Sequence, residues 1–304
     1  MNKVAIRIGD VAFANPIMVA SGTFGYAQEF DGLLDFSQIG AIVTKTVTLE
    51  PRTGNPPPRI WETAAGMLNS IGLPNVGVEE FIAKKMPFLR NLATRIVVNV
   101  AGKTGDDYVR IVERLQQVDG IDAYELNFSC PNVKQGGMSF SADAQIAERV
   151  TADVRKKSQR PLIVKLTPNV TSIADIGKAV EQGGADAVSA INTLVGMAVD
   201  VKSRRPRLST ITGGLSGPAI KPIALAKVYE LCRKLTIPVV AIGGIMNLQD
   251  ALEFFVVGAT AVQIGTANFI NPACAAEIAQ GLHGYCRAQN LNLQELIGSL
   301  RVEK

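Results

Sequence analysis

Short apolar runs rich in β-branched residues recur along the chain, each followed by a longer stretch with apolar residues at helical spacing. Runs such as Ile96–Val100 and Leu162–Leu166 are apolar almost throughout, as a strand covered on both faces of a parallel sheet should be. The pattern predicts strands at Ile17–Ala20, Ala41–Thr44, Ile96–Val100, Ala123–Leu126, Leu162–Leu166, Ala187–Ile191, Val239–Ile242 and Ala261–Ile264. It predicts helices near 27–35, 78–93, 105–118, 142–157, 172–182, 219–235, 248–257 and 271–288. Eight strand–helix repeats give an α/β architecture, the (β/α)8 or TIM barrel. A doubly wound open sheet is the alternative, but no GxGxxG follows any of these strands. Residues 1–14 alternate and turn at Gly9-Asp10, predicting a small hairpin ahead of the barrel, and 1–304 is expected to form a single domain.

Two connections exceed plain strand-to-helix loops. Residues 45–77, rich in Pro and Gly, follow the second strand, and residues 192–218 follow the sixth. Loops this long in a compact domain are usually functional or disordered. Both leave C-terminal strand ends, where barrels build their active sites.

Composition narrows the function. The chain is 47% hydrophobic and 19% charged, with a formal charge of +4, so it can bury a large core. Its basic residues are scattered and form no nucleic-acid motif. No apolar run reaches the roughly 18 residues of a membrane span, and the N-terminus is too polar for a signal peptide, so the expected location is the cytoplasm. Cys130, Cys232, Cys274 and Cys286 show neither metal nor redox spacing, so no metal site is expected. The lone His283, in a late helical segment, reads as a surface residue.

Polar and small residues stand at every strand end: Ser21-Gly22, Lys45-Thr46, Asn99, Asn127, Lys165, Asn192-Thr193, Gly243-Gly244 and Gly265-Thr266. Singly these are ordinary turn residues, but together they aim polar groups at one rim. Glycines after strands seven and eight let backbone N–H groups approach a phosphate, and Gly217 could close that cradle. Asparagines, two lysines and a phosphate grip suit a flavin, with Lys165 as a cation beside its N1–O2 edge. A structural ion pair, or a Schiff-base lysine in a barrel lyase, remains open for Lys165. Cys130, in Asn127-Phe128-Ser129-Cys130-Pro131-Asn132, is either a thiolate base or a small buried hydrophobe.

These residues resemble the class 1 dihydroorotate dehydrogenases. The stretches carrying the resemblance are Thr44-Lys45-Thr46, Leu49 through Pro56, Met67 through Asn75, Asn127 through Asn132, Val164 through Pro168, Ile191-Asn192-Thr193, Gly213 through Pro218 and Ile242 through Ile245. The resemblance implies oxidation of (S)-dihydroorotate to orotate in pyrimidine synthesis. It implies Cys130 as the base at C5 and hydride transfer from C6 to FMN N5. For substrate it implies Lys45, Asn69, Ser70, Ile71, Gly72, Leu73, Asn127, Asn192 and Thr193, with Asn132 nearby. For FMN, one per chain, it implies Ser21, Lys45, Thr46, Asn99, Asn127, Lys165, Ile191, Gly217, Gly243, Gly244, Gly265 and Thr266.

Asn55-Pro56-Pro57-Pro58-Arg59 and Val133 through Met138 resemble the NAD-linked subclass, class 1B. That subclass implies a homodimer of this chain joined by electron-transfer subunits carrying FAD and [2Fe-2S], a heterotetramer. The alternative is a stand-alone homodimer passing electrons to fumarate; a non-catalytic barrel subunit is a further rival. A loop over 133–141 could act as a lid.

Overall fold

A computed structural model describes residues 3–128 and 143–302, with the backbone of two short strands, Lys134–Gln135 and Met138–Ser139, between them. Eight parallel strands close into a barrel in chain order: Ile17–Val19, Ala41–Val43, Arg95–Val100, Ala123–Asn127, Leu162–Leu166, Ala187–Ala190, Val239–Ile242 and Ala261–Ile264. The last pairs with the first, Val262 opposite Ile17. Nearly every residue of these strands is buried, which is why the runs are apolar on both faces. The expected (β/α)8 fold is present, and the three runs at 162–166, 239–242 and 261–264 match the observed strands residue for residue.

The outer helices begin where the sequence offers a cap. Thr104 accepts from the Asp107 N–H and Asp107 answers to the Thr104 N–H, opening Gly105–Gln116. Asp143, Ser172 and Asn247 cap Ala144–Arg155, Ile173–Gln182 and Leu248–Val257 by accepting a first-turn N–H, without the reciprocal bond. Lys221–Lys234 and Cys274–Ala288 complete the long helices.

One expected helix is absent. Residues 27–35 hold one 3-10 turn, Gln28–Phe30, and a second, Phe36–Gln38, follows at once; no α-helix forms there. Ala27 and Gly32 adopt left-handed φ values of 67° and 73°, interrupting a helical path. Phe24 stacks on Phe30 at 3.8 Å between ring centroids, so the apolar spacing serves a packed loop instead. Residues 78–93 are helical over Val78–Leu89, with a wider π-type turn at Phe81–Lys85 just before Pro87, which has no N–H to donate.

The two long connections meet. The first supplies Ile60–Thr63 and Gly66–Asn69, the second Leu194–Met197 and Thr212–Ser216, and all four form one antiparallel sheet. The join is Ser216 opposite Met67 and Leu215 opposite Leu68. A Cβ on Gly66 would lie 2.0 Å from the Ser216 carbonyl oxygen, so only glycine permits this approach. At the opposite rim, the hairpin Ile6–Ile8 with Val11–Phe13 packs against the starts of strands three and five, through Arg95 Nε to the Ala12 carbonyl and Gly9 against Pro161. No helix among the described residues is long and apolar enough to cross a membrane.

Candidate active site

The C-terminal rim encloses a cavity of about 370 Å³, with walls from seven of the eight strand ends and from both long connections. That volume falls within the range of roughly 300–1,000 Å³ common for small-molecule sites. Strand one contributes Ser21, strand two Lys45 and Thr46, strand four Asn127, strand five Lys165, strand six Ile191, Asn192 and Thr193. Strands seven and eight contribute Gly243, Gly244, Gly265 and Thr266. The connections add Asn69, Ile71, Gly72, Leu73 and Gly217.

Two expected site residues do not reach the wall. Ser70 is tied into the loop by Asn55 Nδ2, at 3.1 Å, and by a hydroxyl contact with Thr210. Asn99 is fully buried below the cavity, its Nδ2 donating to Glu125 at 2.6 Å. Cys130 and Asn132 lie outside the described residues, as does the 133–141 loop apart from the backbone pairing of Lys134–Gln135 with Met138–Ser139.

One end of the cavity is built from main chain. Gly217, Gly243 and Gly244 have φ of 94°, 135° and 70°, and a Cβ on Gly244 would lie 2.7 Å from Lys221 Cβ and 2.9 Å from the Gly217 oxygen. The loop after strand seven is thus pressed onto the start of helix Lys221–Lys234, which follows the 3-10 turn Pro218–Ile220. Glycines at these positions let main-chain N–H groups of the loop after strand seven approach an anion, the makings of an anion cradle. Thr266 Oγ1 donates to Ser216 Oγ at 2.9 Å beside it, and Ser216 also lines the cavity.

The other end is amide-rich. Lys165 and Asn127 are register partners on adjacent strands. Asn192 Nδ2 donates to Asn127 Oδ1 at 3.4 Å, while Asn192 Oδ1 accepts the Thr193 N–H at 2.8 Å. Tyr108 OH donates to the Asn127 carbonyl at 2.7 Å, pinning that residue from the helix layer. Lys45 is half-buried; burial lowers its pKa, Glu29 opposes the shift and Arg59 adds to it. A cation, paired amides and an anion cradle together suit a ligand with a phosphate, a flat polar ring and a carboxylate.

Sequence reasoning overlooked Ser216 and the polar residues inside the barrel. Glu125, Ser189 and Gln263 are each a single polar residue within an apolar strand, and that isolation was the available signal. It also overlooked Met246 and Phe269 on the cavity wall. Burial pushes the Cys232 and Cys274 thiols up to about 12 and about 11 and raises that of Cys286, as for small packed hydrophobes. His283 is exposed on helix Cys274–Ala288. No group of three or more His, Cys, Asp or Glu among the described residues could hold a metal.

Residues 3–285 match the family model described as dihydroorotate dehydrogenase. Similar curated proteins include one from Trichlorobacter lovleyi, 52% identical over 298 residues covering 98% of each chain. Another, from Alkaliphilus metalliredigens, is 51% identical over 99% of this chain and 100% of its own. A third, from Bacteroides thetaiotaomicron, is 48% identical over the same shares. All three are named dihydroorotate dehydrogenase B (NAD(+)), catalytic subunit.

Proposed function

The chain belongs to the dihydroorotate dehydrogenase family, and from that premise we propose that it oxidises (S)-dihydroorotate to orotate, with one FMN held in the rim cavity. The observation that carries this reading is convergence: an anion cradle, two lysines and a cluster of amides face one cavity of ligand size. The cradle fits FMN on this structure's own terms: a Cβ on Gly217 would lie 2.7 Å from Gly66 Cα and one on Gly244 2.7 Å from Lys221 Cβ, so only glycines let these main-chain segments close together where a phosphate would sit.

Gly217, Gly243, Gly244, Gly265 and Thr266, with Ser216, would hold the phosphate. Ser21, Thr46, Asn127, Ile191 and Lys165 would hold the ring, with Asn99 beneath them. The chemistry FMN would supply there is that of a hydride acceptor for substrate C6. Lys45 would bind the substrate carboxylate, while Asn69, Ile71, Gly72, Leu73, Asn127, Asn192 and Thr193 match the alternating N–H and C=O edges of its ring. Ser70 would act on this wall through its bonds to Asn55 and Thr210.

Cys130 would take the C5 proton. It follows the cavity residue Asn127 by three positions in the sequence. The thiolate becomes a thiol, the C5–H electron pair becomes the C5=C6 double bond, and the hydride leaves from C6. Asn132 would stand nearby, and the 133–141 loop would exclude water as a lid.

The chain carries no dinucleotide fingerprint and no cysteine cluster of iron–sulfur spacing. Electrons bound for NAD would leave through a partner subunit, which the class 1B resemblance implies carries FAD and [2Fe-2S]. We read the assembly as a homodimer of this chain with two such partners, a cytoplasmic heterotetramer. The test is anaerobic addition of dihydroorotate to the purified protein. A yellow protein that bleaches is expected; a colourless one that traps substrate on Lys165 with borohydride would overturn the reading.

A further inference from the structure

Glu125 stands in the fourth strand, fully buried, where barrel interiors are dominated by bulky branched residues. Its carboxylate gathers donors from four other strands. Oε1 accepts from Asn99 Nδ2 at 2.6 Å and lies 3.8 Å from Lys165 Nζ. Oε2 accepts from Ser189 Oγ at 2.8 Å and Gln263 Nε2 at 2.7 Å. Glu125, Ser189 and Gln263 come from the alternate strands four, six and eight, so they share one layer of the barrel filling. Lys165, from strand five, caps that layer and faces the cavity, its side chain only 7% exposed.

Nothing in the proposed reaction uses Glu125, which does not line the cavity. A buried ion pair is seldom retained for stability, because an apolar filling of equal volume does as well. The arrangement does have an electrostatic consequence. Three neutral donors orient the carboxylate so that one oxygen faces the ammonium, and the two charges cancel at the cavity floor. Resting on the FMN reading above, we propose that Glu125 is the counter-ion of Lys165. It holds that ammonium in place and offsets its charge, so that the flavin sits over a compensated pair instead of a lone cation. Reduction adds negative charge to the ring, which a lone cation would favour more strongly than the pair does. Glu125 is then a positioning residue that keeps the couple at a lower potential, ready to pass electrons onward.

The test is the midpoint potential of bound FMN, measured on the holoenzyme by anaerobic equilibration with reference dyes. Glu125→Gln should shift the equilibrium toward reduced flavin on the order of tenfold, or about 30 mV upward for a two-electron couple. Lys165→Met should shift it the other way. The double variant, neutral at both positions, should return close to the wild-type potential. A Glu125→Gln potential equal to wild type, or a double variant that matches Lys165→Met alone, would show Glu125 to be only a polar filler. Should Glu125→Gln fail to fold, the double variant against Lys165→Met decides alone, since a neutral pair removes the unpaired buried charge. A wild-type protein that holds no FMN defeats the parent reading; FMN-loaded variants with unmoved potentials defeat only this inference.

Discussion

At the N-terminal rim of the barrel, Asp122 and Asp186 each precede a strand and answer to the strand before. Asp122 Oδ2 accepts the Ile96 N–H at 2.8 Å while Oδ1 pairs with Arg95 at 2.9 Å. Asp186 Oδ2 accepts the Leu162 N–H at 2.8 Å and pairs with Arg155 at 2.7 Å. Arg160 completes the pattern, donating to the Leu115 and Val118 carbonyls and to Tyr124 OH. Every one of these charges is consumed by its neighbours. At the C-terminal rim Lys45 has no ion-pair partner among the described residues, and Lys165 has one only at 3.8 Å. The difference teaches what each rim is for. Saturated polar groups hold the strands in register, whereas the two lysines at the cavity retain donors that the proposed ligand would use.

The two rims should respond differently to substitution. The largest expected effect is at the cavity: Cys130→Ala should keep FMN and lose about 10²- to 10⁴-fold in turnover at neutral pH, the usual weight of a general base. Rates near wild type would remove the thiol from the mechanism. At the opposite rim, Asp186→Ala should leave KM and flavin content intact while costing about 2 kcal/mol of stability, since it strands the Leu162 N–H and takes the carboxylate from Arg155. Chemical denaturation reads this directly, and a loss of activity without a loss of stability would contradict the division of labour.

The smallest effect is a pH dependence. Burial holds the Lys45 ammonium below the usual lysine value of 10.5, so its proton leaves at lower pH than that of a free lysine. Its grip on an anionic substrate is therefore present at neutral pH and weakens as pH rises through that lowered value. The KM for dihydroorotate should climb at alkaline pH, with an inflection below 10.5 that is missing in Lys45→Met. A flat profile would place the carboxylate elsewhere.

Much of the molecule could be read along the chain, because its rules there are local. Apolar runs such as 162–166, broken only by Lys165, read as strands covered on both faces, and eight of them with helical spacers fit a closed barrel. Small and amide residues just past the strands marked the rim, since that is where strand direction delivers them. Between residues 27 and 35 the same reasoning failed: helical spacing is also produced by a packed aromatic loop, and the left-handed turns at Ala27 and Gly32 leave no mark in a hydrophobic pattern. Contacts between distant segments were beyond it. The pairing of residues 66–69 with 214–216 spans about half the chain, and Glu125 meets donors from four strands only because a closed, sheared barrel brings alternate strands to one level. Periodicity reports which side of an element is buried, but which charges share that interior depends on closure, and closure is a property of the whole chain.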